Sequence, residues 1–136
     1  MNRHPAPRYP FRPVSWAYID DRFAKFADDH PEFAHMSAIV KSVRAVGADA
    51  DLAACTSMHD LIVVAEPIPE PPYDVVAIRA PSSLAHPSNG SVLIEHLSIT
   101  GRDDRLERPV DEAVLLFWRF MIEKFGVDPS NYSHPQ

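Results

Sequence analysis

The residues with the best claim to chemistry lie between Glu95 and Arg108, where two ionisable groups sit in an apolar run and three arginines follow. Ser91 to Ile99 reads as the longest strand of the chain, and alternation puts His96 with Val92, Ile94 and Ser98 on one face. Glu95 falls on the other face with Leu93, Leu97 and Ile99, so Glu95 and His96 do not act as a touching pair. Burying either group without a partner costs several kcal/mol, roughly, and perturbs its titration, which marks both as candidates for function. The alternative is a solvated face or an internal hydrogen-bonded pair.

After this strand, Thr100-Gly101-Arg102-Asp103-Asp104-Arg105-Leu106-Glu107-Arg108 reads as a loop running into a helix that starts at Pro109. Arginines beside a helix N-terminus suit a carboxylate or phosphate, because free N–H groups and bidentate guanidinium bonds both favour an anion. Thr100, Arg102, Arg105 and His96 are therefore the expected ligand-binding residues. Asp103, Asp104 and Glu107 nearly cancel the arginines, so the competing reading is a solvated, salt-bridged loop. In a catalytic version His96 is the general base, Glu95 or Asp103 the supporting acid, and Arg102 or Arg105 the charge stabiliser.

Other constellations are weaker. Cys55, His59 and Asp60 are the residue types of a thiol nucleophile, base and orienting acid, but such partners are rarely adjacent in sequence. A lone cysteine more often packs as a small hydrophobe. Glu32 and His35 form one Glu-x-x-His without the second copy that a di-iron bundle needs. Phosphate loops, nucleophile elbows, zinc-ligand pairs and dinucleotide fingerprints are missing, so no metal and no cofactor is expected.

Elements to position these residues follow from periodicity. Residues 1 to 14 interleave Pro5, Pro7, Pro10 and Pro13 with Arg3, Arg8 and Arg12, an extended arm that is either a loose tail or a docking segment anchored by Tyr9 and Phe11. The arm is expected to be dispensable for folding. Ser15 caps a helix carrying Trp16, Ile19, Phe23 and Phe26 in a stripe that stops before Pro31. Phe33, Met36, Val40 and Val43 repeat the stripe in a second helix begun by a capping box of Asp29 and Glu32 and closed by Gly47. The short turn predicts an antiparallel helical hairpin. Residues 52 to 55 read as a helical turn, Leu61 to Ala65 and Asp74 to Ala80 as strands, and Glu66 to Tyr73, with its four prolines, as a connection.

Val110 to Phe125 reads as a final helix ended by Gly126, apolar nearly all round. Leu115, Trp118 and Ile122 form a stripe opposite Val114, Phe117 and Met121. A homodimer through Val110 to Phe125 is the expected way to cover it, and the helical hairpin of the same chain is the alternative.

The expected fold is thus two-layer α+β: helical hairpin, three-stranded antiparallel meander, C-terminal helix. Residues 15 to 128 make the single domain, with 129 to 136 as a tail. A chain of 136 residues with 46% hydrophobic and 24% charged residues suffices for one core. Its formal charge of −6 argues against nucleic acid, the lone cysteine fits a reducing compartment, and no run is apolar enough for a signal peptide or a membrane span. A cytoplasmic location is expected. The ten arginines against three lysines suit a GC-rich, bacterial-like composition and carry no functional weight. These features favour a homodimeric binding or interaction module with a pocket for a small ligand, an anion being the candidate. The rivals are a small cofactor-independent enzyme using His96 and an acidic chaperone-like or immunity-type partner protein.

Overall fold

The computed structural model describes residues 6–132. Two helices lead, α1 (Trp16–Asp29) and α2 (Ala34–Val46), followed by strands β1 (Leu52–Ser57), β2 (Asp60–Ala65), β3 (Val75–Arg79), β4 (Ser91–Leu97) and β5 (Asp104–Pro109), then α3 (Ala113–Phe120). The last helix runs on as one π-helical turn, Met121–Phe125, and stops at left-handed Gly126. All five strands are antiparallel neighbours in chain order. The α+β class stands, but the meander has five strands where three were expected.

Both additional strands escaped for physical reasons. Leu-Ala-Ala-Cys at 52–55 has the alanine content of a helix, yet the segment pairs with β2 along all six residues from Leu52 to Ser57. Ladder formation and the burial of Leu52 and Ala54 override that local preference. Residues 104–109 have one apolar residue, Leu106, so no alternation reveals a strand. They pair with Ser91–His96 as the sheet edge, and their exposed charges and terminal Pro109 discourage a further strand from adding there.

The helices cover one face of the sheet. Ile19, Phe23, Met36, Val40 and Phe117 pack there against Leu61, Val63, Ile78, Val92 and Ile94 in the main core. Ser15 accepts the Tyr18 N–H at 3.1 Å as the N-cap of α1. A 3-10 turn, Pro31–Phe33, replaces the expected capping box before α2, with no side chain closing it. Asp20 on α1 takes Lys41 and Arg44 of α2, both at 2.8 Å, fixing the hairpin. Burial opposes ionisation of Asp20, but the hydrogen bonds and charges of Lys41 and Arg44 outweigh it and hold the carboxyl below its usual range.

The opposite sheet face is only partly covered. Phe11 packs edge-on to Tyr73, with ring centroids 6.1 Å apart, over Ala53, Val64, Val75 and Leu97. The Tyr73 hydroxyl donates to the Tyr9 carbonyl at 3.0 Å, and Val14 bridges to Ala54 at the β1 edge. Residues 6–14 therefore lie across their own domain and seal a satellite core; Arg3 and Pro5 fall outside the described residues. At the other terminus the Tyr132 hydroxyl donates to Asp51 at 2.5 Å, and burial together with that bond pushes it up to about 12.

Candidate functional site

Strand register decides which sequence candidates can meet. Glu95 stands opposite Arg105 and His96 opposite Asp104, so Glu95 and Arg105 share the open face while His96 points to the helix side. His96 is buried, with Nε2 3.2 Å from Asp74 Oδ2, yet neither ring nitrogen has an aligned hydrogen bond. The short separation is a close approach without hydrogen-bond geometry. His96 lines neither the cleft beside Arg79 nor the one at the start of α2.

The Thr100–Arg108 segment is not the approach to a helix. Its first part is the β4–β5 turn, in which Asp103 accepts the Ser98 N–H at 2.9 Å and Thr100 Oγ1 accepts the Arg102 N–H at 3.3 Å. The rest is β5, whose six residues carry the chain about 17 Å to the far end, where α3 begins. Arg102 and Arg105 are exposed and remote from that helix N-terminus, so the dipole argument for an anion at this loop is lost.

A different constellation forms on the open face. Arg79 of β3 lies between two carboxylates, its Nη1 2.9 Å from Asp60 Oδ2 on β2 and its Nε 3.1 Å from Glu95 Oε2 on β4. Asp60 also accepts the Ala80 N–H at 2.7 Å and the Ser83 hydroxyl at 3.0 Å, so it anchors the loop after β3. Burial pulls the guanidinium down, but hydrogen bonds to Asp60 and Glu95 and their charges more than offset it and hold Arg79 above its ordinary value. The triad of side chains stitches three strands together.

Beside it opens a cleft of 610 Å³, with Asp60 and Arg79 in its wall and Met58 and Leu84 at its rim. Both rim side chains project into solvent, 76% and 94% exposed. Met58 and His59 form the two-residue turn between β1 and β2 with φ of +49° and +77°. A type I′ turn demands positive φ at both positions and normally selects Asn-Gly, since other L-residues pay about 1–2 kcal/mol there. Part of the reason for His59 is visible. Its ring sits 4.4 Å from the Phe26 ring, nearly perpendicular, and Nδ1 lies 3.4 Å from Ser82 Oγ. Met58 has no such packing. Replacing Met58 with asparagine is expected to raise stability by about 1 kcal/mol, read as a higher urea midpoint at unchanged slope.

Cys55, His59 and Asp60 do not assemble a nucleophile. Cys55 pairs across the ladder with Ile62, His59 turns toward Phe26 and Ser82, and Asp60 is engaged by Arg79. Burial pushes the Cys55 thiol up, away from the reactive thiolate. Sequence reasoning found Glu95 but not its partner, because nothing in a linear reading pairs residues 16 and 35 positions away. Two polar ends, Asp60 and Arg79, flanking otherwise apolar strands were the available signal.

Among the described residues no three histidine, cysteine or acidic side chains gather in a metal-holding arrangement. No described helix is long and apolar enough to cross a membrane. No protein-family model matches the chain, and no curated protein or solved structure is significantly similar to it.

Proposed function

We propose that this chain is an interaction module that docks a basic segment of a partner protein on the rim and wall of the Met58–Leu84 cleft. The carrying observation is the pair of projecting apolar side chains, one of them held in a strained turn, beside a buried ion cluster. Backbone strain without a packing reason is retained where the side chain is used. Methionine and exposed apolar knobs over a cleft are the composition of a protein interface rather than of an enclosed small-molecule pocket. Charge selects the partner. Among the strand side chains, register places Asp60, Glu95 and Glu107 on this face against Arg79 and Arg105, one excess negative charge on a chain of net −6. An arginine or lysine flanked by leucine-like residues complements it, whereas the small anion expected from the 100–108 segment does not.

The test is an amide-shift titration with N-acetyl-Leu-Arg-Leu-amide and its glutamate counterpart. The basic peptide should move the resonances of Met58, His59 and Ser82 to Leu84 saturably, and the acidic one should not. Met58→Asn should weaken binding severalfold while the protein becomes more stable, so unfolding is not the cause. Equal binding of the acidic peptide, or shifts confined to another surface, would overturn the reading.

A second reading concerns self-association, favoured by Leu115 and Ile122, which stay 76% and 43% exposed two turns apart on one side of the C-terminal helix. A twofold contact between these stripes is the form the homodimer takes here. Sedimentation of Leu115→Glu against the wild type reads it: a dimer reduced to a folded monomer supports the contact, and a monomeric wild type at micromolar concentration removes it.

A further inference from the structure

We infer that Met58 is a reversible oxidation site, and that peroxide, by converting its thioether to the sulfoxide, switches off docking at the Met58–Leu84 cleft. The switch rests on the docking reading above; the site of oxidation does not.

Access selects the sulfur. Met58 is 76% exposed in the β1–β2 turn, whereas Met36 and Met121 are fully buried in the main core. Among the described residues Met58 is thus the one methionine that peroxide reaches without unfolding. The competing sulfur is the Cys55 thiol, half-buried in β1, and burial pushes it up, away from the thiolate that reacts. In the step itself a thioether lone pair attacks one oxygen of hydrogen peroxide and the O–O bond breaks. The proton of the transferred oxygen passes to the departing hydroxide, leaving methionine sulfoxide and water. Sulfur is oxidised by two electrons and peroxide is reduced by two.

The product puts a polar, chiral side chain where an apolar knob stood on the cleft rim. A thioether packs on a leucine-like residue with a gain from lost hydration, but a sulfoxide oxygen must first give up its hydrogen bonds to water. A bond from the partner's arginine to that oxygen only replaces one from water, so it does not restore the apolar contact. Met58 lies outside both apolar cores, so oxidation alters the rim without loosening the fold. Leucine would form the same knob in the same strained turn. Sulfur adds a polarity that peroxide sets and a thiol-dependent reductase resets.

In the experiment the folded protein is treated with dilute hydrogen peroxide, the excess is removed with catalase, and samples go to tryptic mass mapping and to titration with N-acetyl-Leu-Arg-Leu-amide. Met36, Met58 and Met121 fall on separate tryptic peptides, 26–41, 45–79 and 120–124. Peptide 45–79 should gain one oxygen, placed on Met58 and not Cys55 by fragmentation, before the other two gain any, and the cooperative melt should persist. Affinity should fall at least about fivefold. It should return after incubation with methionine sulfoxide reductases for both epimers and dithiothreitol. Met58→Leu should show one affinity before and after peroxide. Oxygen appearing on Met36, Met121 or Cys55 as fast as on Met58 would overturn the oxidation site. Binding that survives complete oxidation of Met58, or that peroxide weakens equally in Met58→Leu, would overturn the switch and leave docking intact. A protein that fails to bind even before peroxide would overturn docking and switch together.

Discussion

Replacing Arg79 with leucine should cost about 3–5 kcal/mol, a large share of the roughly 5–15 kcal/mol that holds a domain of this size together. Among the described residues the guanidinium is the one counter-charge bonded to the part-buried Glu95, and it is also bonded to Asp60; the two acidic side chains are 14% and 8% exposed. Without it two carboxylates face each other across β3 with nothing between them. The loss should appear as a lowered urea midpoint, together with faster amide exchange in the Ala80–Ser83 turn that Asp60 anchors. Arg79→Lys separates charge from geometry: it keeps the positive charge but not the fork that meets both acids, and should retain part of the stability. If Arg79→Leu melts within about 0.5 kcal/mol of the wild type, the triad is an ornament of the surface and the cleft beside it loses its fixed wall.

The second large effect is expected at Trp118. Trp118→Glu should abolish cooperative folding, because the side chain is buried within one chain against α2. Its Nε1–H donates to Ser42 Oγ at 3.1 Å, and the ring packs at 5.1 Å, edge-on, to Phe117. Truncating a buried tryptophan alone costs about 3–5 kcal/mol, and a carboxylate in its place adds an unpaired buried charge. Circular dichroism and a thermal melt read the result directly. A folded, soluble monomer derived from a wild-type dimer would instead place Trp118 at a subunit interface and contradict the packing described here. The helix was expected to need a partner for the whole Leu115, Trp118 and Ile122 stripe. The hairpin takes the middle of that stripe, and only its two ends remain for a second copy.

These two residues show what a linear reading reaches. The helical boundaries at Ser15, Pro31, Gly47 and Gly126 are local chemistry: a side-chain cap, a missing N–H, and left-handed backbone that glycine adopts freely. The same holds for the apolar stripes of α1 and α2 and for strands β2, β3 and most of β4. Local pattern failed where pairing overrode composition, in the alanine-rich β1 and the charged β5. Without β5, Arg102 and Arg105 read as lying at the mouth of a helix that in fact begins a whole strand later, so the helix-dipole argument does not apply to them.

The α+β class, the helix ends, the acidic balance and the odd placement of Glu95 in an apolar run are legible in the chain alone, because each depends on composition or on residues within a turn or two of one another. Tertiary structure alone decided that Glu95 meets Arg79 and Asp60, that His96 faces the helices, that Trp118 is covered by α2, and that Met58 and Leu84 rise over one cleft. Such contacts depend on ladder register, and a shift of one residue would send every strand side chain to the opposite face.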